Sequence, residues 1–116
     1  MIEQGQIYWL KEPLEVEKAN SIKHPQVVIQ HTAINESRID TVVVCGISTN
    51  MARAFDVGNV LLTIGEAGLE KESFVAVGQV SVINKSQFGT MIGKLENFRV
   101  QEILDGIMFR ARRLKE

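Results

Sequence analysis

The chain has a single cysteine, no long apolar run and no excess of one charge, and each scarcity excludes a class of protein. Cys45 has no partner for an internal disulfide, which argues against a disulfide scaffold and favours a reducing compartment. No apolar run exceeds six residues, whereas a membrane span needs about 20. The N-terminus lacks a basic start followed by an apolar stretch, so no signal peptide is predicted. We therefore expect a cytoplasmic protein with no membrane partner.

The charges are almost balanced, with 13 Lys and Arg against 14 Asp and Glu. A net charge of −1 is not typical of a general polyanion binder. Nucleic acid would therefore have to bind at a local basic patch. The one dense basic cluster comprises Arg110, Arg112, Arg113 and Lys115. Cations in the last turns of a helix favour its negative end, and this explanation is simpler than RNA binding.

A chain of 116 residues with 45% hydrophobic content fits one domain, 1–116, with a core of its own. Short β-forming runs separated by turn residues predict five or six strands: Gly5–Leu10, Pro25–Gln30, Thr41–Ile47, Asn59–Ile64, Ser73–Ile83 and a last segment ending at Leu95. Apolar residues in Asn97–Lys115 recur at i, i+3, i+4 and i+7, which predicts an amphipathic helix. Strands without intervening helices favour an antiparallel sheet or a small barrel.

Several kinds of catalytic site lack their residues. His24 and His31 are seven positions apart, about 23 Å along a strand, so they cannot share a metal within one chain. No cysteine pair or HExxH motif is present, and Cys45 lies among valines as a core residue would. The loop Gly65–Gly68 lacks the lysine of a phosphate-binding loop, and Glu66 would repel phosphate. We predict neither a metal site nor a cofactor.

Polar side chains remain at two strand ends. Lys23 and His24 precede the second predicted strand, and Ser48 and Thr49 follow the third. Antiparallel pairing of these strands would bring the four residues to one rim. Histidine can transfer a proton near neutral pH, lysine can offset charge on a phosphate, and a hydroxyl can donate to its oxygen. The simpler alternative is a surface histidine before Pro25 and ordinary turn residues after a strand.

Five segments in order carry a resemblance to a known family. They are GQIY at 5–8, HPQVVIQ at 24–30, TVVVCGIST at 41–49, TNMARAFDVGNVLL at 49–62 and GEAGLEKESFVAVGQ at 65–79. Together they closely resemble the PemK/MazF family of toxin endoribonucleases over nearly the whole chain. The resemblance implies an SH3-like small β-barrel with one C-terminal helix, the CcdB/MazF-like toxin fold. It also implies a homodimer that cuts single-stranded RNA without metal, by attack of the RNA 2′-hydroxyl, and that is inhibited by a cognate antitoxin.

The resemblance also implies site residues. The catalytic arginine of the family falls on His24, and its catalytic threonine falls on Ser48. The loops Lys11–Lys23 and Thr49–Val57 would flank the RNA groove. Residues expected to bind substrate are Lys23, Thr49, Arg53 and Gln79.

Histidine in place of arginine exchanges a permanent bidentate charge for a titratable ring. Either His24 acts as a general acid or base, with Lys23 or Arg53 supplying the fixed charge, or catalysis is lost and the chain is an RNA- or protein-binding module. A gyrase poison is a third possibility, because CcdB toxins share the barrel, but the motifs match the ribonuclease branch better. Gly46 and Glu70 stand where the family commonly has proline, which concerns loop rigidity.

Overall fold

In the computed structural model, residues 1–14 and 23–113 are described, and they form six strands and two α-helices. The strands are β1 (Gln6–Leu10), β2 (Gln26–Val28), β3 (Thr41–Ser48), β4 (Val60–Leu62), β5 (Ser73–Asn84) and β6 (Phe88–Lys94). The helices are α1 (Thr32–Asn35), which is a single turn, and α2 (Asn97–Arg113). All the predicted strands are present, with ends that differ by one or two residues.

The second strand is shorter than predicted because its pairing with β3 becomes irregular. The amides of Ile29 and Gln30 both donate to the carbonyl oxygen of Val43, at 3.1 and 3.3 Å. Two successive amides on one carbonyl interrupt the regular ladder. The chain then enters the single turn of α1. His31 caps this turn, because its Nδ1 accepts a hydrogen bond from the amide of Ala33 at 3.0 Å.

The six strands form one antiparallel sheet in the order β4-β5-β3-β2-β1-β6. Its longest pair, β3 and β5, runs from Thr41 opposite Asn84 to Ser48 opposite Phe74. The register of this pair shifts between Cys45 and Ile47. Such a bulge bends and twists the strands, which allows so long a pair to curve around a core.

The sheet closes by packing rather than by pairing. Within residues 1–14 and 23–113, the edge strands β4 and β6 do not pair with each other. A 3₁₀ turn at Glu66–Gly68 lies against β6 instead, so closely that a Cβ added at Gly93 would lie 2.1 Å from the carbonyl oxygen of Ala67. Only glycine permits this backbone approach. The fold is therefore mostly β with one long C-terminal helix and a barrel-like shape, which confirms the predicted fold class.

Alternating side chains along the strands supply the two larger of three clusters of buried residues. One cluster, under α2, contains Ile7, Val27, Cys45, Ile47, Val75, Leu95 and Ile103. The other, on the opposite face of the strands, contains Leu10, Val28, Val42, Val44 and Ile83. Neighbours in sequence, such as Val27 and Val28, thus belong to different clusters because strand side chains alternate.

The apolar stripe of α2 is buried only in its first part. Val100 and Ile103 are buried, whereas Met108 is 52% exposed. Gly106, which lowers helix propensity, is explained by a close contact with the loop before β4. A Cβ at Gly106 would lie 2.1 Å from the carbonyl oxygen of Gly58. The glycine therefore lets the helix approach the sheet more closely than alanine would permit.

The basic residues near the end of α2 differ in their surroundings. The guanidinium of Arg110 lies over β5, where a Cβ at Gly78 would be 2.8 Å from its Cζ. Arg112 is exposed. Lys115 lies outside the described residues. No helix in the part of the chain that the structure describes is long and apolar enough to cross a membrane.

A bidentate ion pair joins the 3₁₀ turn to α2. Arg99 Nε and Nη2 donate to the two carboxylate oxygens of Glu66 at 2.8 and 3.0 Å, and both side chains are less than one-fifth exposed. Glu66 also accepts a hydrogen bond from the amide of Thr63 at 2.9 Å. Hydrogen bonding from Arg99 holds the pKa of Glu66 below its ordinary value of 4.5.

We expect Gly106→Ala to destabilise the protein, although alanine is the better helix former. The added methyl group would collide with the backbone of Gly58, and overpacking of this kind costs about 1–3 kcal/mol. Urea unfolding at fixed protein concentration measures the change. The control is Gln101→Ala on the exposed face of α2, which should change stability by less than about 0.5 kcal/mol. A gain in stability from Gly106→Ala would contradict the close contact.

We expect Glu66→Gln to destabilise the protein at pH 7 by about 1.5–3 kcal/mol, the range for hydrogen bonds to charged groups. The pKa of Glu66 is lower in the folded state than the unfolded value of 4.5, so its stabilisation is present above that value. It is lost as the pH falls through the folded pKa. The difference between wild type and Glu66→Gln should therefore shrink between pH 7 and about pH 3 in urea unfolding. The exposed Glu72→Gln is the control, and a pH-independent difference for Glu66→Gln would refute the assignment.

Candidate active site

The start of β2 and the end of β3 lie side by side, as the sequence predicted. Gln26 pairs with Gly46, and the amide of Ile47 donates to the carbonyl oxygen of Pro25 at 2.9 Å. Continuing this antiparallel register by one residue puts His24 opposite Ser48. Residues separated by more than twenty positions in sequence thus meet at one rim of the sheet.

A cleft of about 520 Å³ opens at this rim. Three of the predicted residues, Lys23, His24 and Thr49, line it. Gly68, which ends the 3₁₀ turn, and residues 69–71, which follow it, also line the cleft, and Trp9 lines it from the end of β1. The remaining lining residues are Pro25, Ile47, Ser73 and Ile92. The site is therefore a partly apolar cleft with cationic, imidazole and hydroxyl groups at its walls, as binding clefts commonly are.

Gln26 fixes the backbone next to His24. Its side chain is 2% exposed, and its Nε2 donates a long hydrogen bond of 3.4 Å to the carbonyl oxygen of His24. Its Oε1 is buried and has no hydrogen-bond partner among the described residues. His24 itself is half-buried. The imidazole is thus attached to a backbone segment held by both the sheet ladder and a buried amide.

The two hydroxyl groups of the rim differ in their surroundings. Ser48 is 6% exposed, and its Oγ accepts a hydrogen bond from the amide of Asn50 at 3.1 Å. This bond satisfies the acceptor of Ser48 but leaves the hydroxyl proton available to donate. Thr49 is exposed and lines the cleft. Ser48 therefore lies opposite His24 by register but is not among the residues that line the cleft, whereas Thr49 lines it.

Two residues that the resemblance implied for substrate binding do not line the cleft. Arg53 is exposed, and its Nε donates to the carboxylate of Asp56 at 2.8 Å. Gln79 lies beside Gly46, where its Oε1 would be 2.7 Å from an added Cβ. Gly46 thus provides space for the amide of Gln79, which is a packing role. The structure brings together Lys23, His24 and Thr49 but places Arg53 and Gln79 elsewhere.

Three lining residues were missed in the sequence as site residues: Trp9, Glu70 and Lys71. Strand alternation could have indicated Trp9, because it shares a face with the core residue Ile7 but lies two positions nearer the end of β1. Glu70 and Lys71 had no such signal, because the closure of the sheet brings their loop to the cleft. The predicted loop Lys11–Lys23 lies mostly outside the described residues, since positions 15–22 are among those left undescribed.

Other catalytic chemistries find no support in the described part of the chain. Cys45 is fully buried, its thiol donates to the carbonyl oxygen of Ala76 at 3.1 Å, and burial raises its pKa to about 12. The interpretation as a core residue is confirmed, since a nucleophilic thiol needs a low pKa and access. Within residues 1–14 and 23–113, no group of three His, Cys, Asp or Glu side chains is placed to hold a metal ion.

Comparison with known proteins agrees with the geometry. Residues 3–109 match the family model described as the PemK-like, MazF-like toxin of type II toxin–antitoxin systems. Endoribonuclease MazF6 of Mycobacterium tuberculosis strain H37Rv is 30% identical over 109 residues, which cover 92% of this chain and 94% of that protein. Endoribonuclease MazF2 of Mycobacterium bovis matches with the same identity and coverage.

Solved structures share the fold at lower sequence identity. An endoribonuclease in complex with its cognate antitoxin, from a mycobacterial species, superposes with a TM-score of 0.72 and 16% identity, covering 92% of this chain and 91% of that one. The Mycobacterium tuberculosis toxin MazF-mt6 superposes with a TM-score of 0.70 and 18% identity, covering 88% and 91%. The motifs, the sheet, the cleft and the match over residues 3–109 together show that this chain belongs to the PemK-like, MazF-like family of toxins of type II toxin–antitoxin systems.

Proposed function

We propose that this chain is an endoribonuclease toxin that cleaves single-stranded RNA without a metal ion. The observation that carries the proposal is the cleft in which Lys23, His24 and Thr49 meet. These groups suit phosphodiester chemistry, which needs proton transfer and stabilisation of negative charge. A messenger RNA substrate would place the activity in the cytoplasm.

In the proposed reaction, the 2′-hydroxyl of the RNA attacks the adjacent phosphorus. The 2′-O–P bond forms, the P–O5′ bond breaks, and the products carry a 2′,3′-cyclic phosphate and a 5′-hydroxyl. His24 takes the proton of the attacking hydroxyl or gives a proton to the leaving oxygen, and water exchanges the other proton. Ser48, opposite His24, donates a hydrogen bond to a non-bridging oxygen, and Thr49 binds the substrate phosphate.

The fixed positive charge comes from Lys23 rather than Arg53. Lys23 lines the cleft, whereas Arg53 pairs with Asp56 outside it. Lysine provides a point charge without the bidentate geometry of arginine. In this proposal, Lys23 supplies the positive charge of the family's arginine and His24 transfers the proton. Arg53 and Gln79 would contact RNA beyond the scissile bond.

The proposal includes two protein partners. One solved relative is an endoribonuclease in complex with its cognate antitoxin, and we propose that an antitoxin segment likewise occupies this cleft. We also propose a homodimer, because Phe55, Ile64 and Met108 are more than half exposed and suit a protein interface. Light scattering that gave a monomer at micromolar concentrations would contradict the dimer.

We expect the purified protein to cut a long unstructured RNA in EDTA and to leave 2′,3′-cyclic phosphate ends. His24→Ala should lower the rate by about 10²–10⁴-fold, the usual contribution of a general acid or base. His24→Arg should keep some cleavage, because arginine supplies the permanent positive charge that the family carries at this position. The rate constants come from gel quantification over a range of pH.

The matched control is His31→Ala, which removes the other histidine of the chain and should leave the rate unchanged. Cleavage at the wild-type rate by His24→Ala would refute the catalytic role of His24. Tight RNA binding with no cleavage by the wild type would instead favour a binding module.

We expect the two hydroxyl residues to differ in their kinetic effects. Ser48→Ala should lower kcat by about 10²-fold, as removal of a donor to a developing charge does. Thr49→Val should mainly raise KM, because it removes a contact made throughout the reaction. Ser48→Thr, which keeps the hydroxyl, controls for the structural bond to Asn50 and should remain active. A larger kcat loss in Thr49→Val than in Ser48→Ala would reverse the assignment.

A further inference from the structure

The cleft also carries an aromatic ring, a carboxylate and an ammonium group outside the four residues of the proposed reaction. Trp9 is 40% exposed and lines the cleft at the end of β1. Glu70 and Lys71 are both exposed and line it from the loop before β5. None of the three is needed for the proton transfer proposed above. The reaction also gives no role to a carboxylate, which repels the phosphates of a bound RNA.

Glu70 differs from the carboxylates that serve the fold. Glu66 is held by Arg99, and Glu3 accepts a hydrogen bond from Lys94 Nζ at 2.7 Å. Glu70, in contrast, makes no ion pair with any other described residue within 4.0 Å. Its carboxylate oxygens are therefore available to accept hydrogen bonds from a ligand in the cleft.

We propose that Trp9 and Glu70 form a subsite that selects guanine next to the scissile bond of the RNA. The inference rests on the proposed function and adds the base that the site prefers. Unpaired bases bind proteins by stacking on aromatic side chains and by hydrogen bonds along their Watson–Crick edges. Trp9 supplies the stacking surface, and Glu70 accepts hydrogen bonds from the edge of the base.

Guanine fits a carboxylate better than the other three bases do. An ionised carboxylate only accepts hydrogen bonds, through two oxygens side by side. The Watson–Crick edge of guanine presents two adjacent donors, N1–H and N2–H. Adenine and cytosine each present one donor beside an acceptor nitrogen, and uracil presents one donor between two oxygens. Glu70 thus makes two hydrogen bonds only with guanine.

The two lysines of the cleft explain how RNA tolerates this carboxylate. Lys23 lies beside His24 in sequence, and Lys71 follows Glu70. Each can bind a phosphate on its own side of the cleft, since phosphate contacts fix the position of a nucleic acid without reading its sequence. The base of the intervening nucleotide then lies between Trp9 and Glu70.

Trp9 is the only tryptophan of the chain, so its fluorescence reports directly on this subsite. We would titrate the protein with short single-stranded oligodeoxynucleotides, thymine-rich with one central G, A or C. They lack the 2′-hydroxyl and cannot be cleaved by the proposed reaction, so binding is separated from catalysis. The G oligonucleotide should quench the fluorescence and bind about tenfold more tightly than the A or C oligonucleotides, the factor of a good bidentate base contact.

Glu70→Gln should reduce the preference for G to about twofold or less, because the amide offers one acceptor and one donor. Glu72→Gln is the matched control: this carboxylate is exposed two residues further on but does not line the cleft, and the preference should persist. Trp9→Ala should weaken the binding of all the oligonucleotides by a similar factor. This affinity is measured by the fluorescence anisotropy of a labelled strand.

Equal affinities for the G, A and C oligonucleotides, or an undiminished preference in Glu70→Gln, would overturn the subsite. Anisotropy changes without quenching would remove Trp9 from it, and no binding by either method would overturn it as well. Cleavage of the matching RNA oligonucleotides is measured separately. Quenching with a preference for G but no RNA cleavage would refute the nuclease activity and support the subsite. Cleavage without a preference for G would support the nuclease activity and refute the subsite.

Discussion

The backbone contact between the 3₁₀ turn at Glu66–Gly68 and strand β6 is the constraint on which the rest of the structure depends. The edge strands of the sheet do not pair, so this contact, permitted by Gly93, closes the barrel-like shape. The ion pair between Glu66 and Arg99 secures the same turn to α2. The chain continues directly from this turn into residues 69–71, which line the cleft. The contact that closes the fold therefore also positions this part of the site.

The side of the cleft that contains His24 depends on a different interaction, the hydrogen-bonded ladder between β2 and β3. That ladder continues through Pro25 and Ile47, so backbone pairing brings His24 and Ser48 to the same rim. A site supported in this way tolerates a change of side chain without a change of fold. Histidine in place of the family's arginine can therefore alter the chemistry while the scaffold stays the same.

Much of the fold was predictable, because short β-forming runs and a helical stripe are local signals. The site was predictable in part. Lys23, His24 and Thr49 meet because two strands adjacent in sequence pair antiparallel, which is the simplest connection. Arg53 could not be placed from the motif, since its local partner Asp56 holds it outside the cleft. Gln79 could not either, because the register shift between Cys45 and Ile47 decides where that part of β5 lies.

The sequence by itself determined the family, the order of strands and helix, and the half of the cleft built from neighbouring strands. These follow from residue order and side-chain period, which are properties of the chain. Tertiary structure alone decided that Glu70 and Lys71 lie in the cleft and that Gly106 contacts Gly58. Those positions depend on contacts between segments far apart in sequence, which form only when the sheet curves and closes on itself, and no local pattern specifies them.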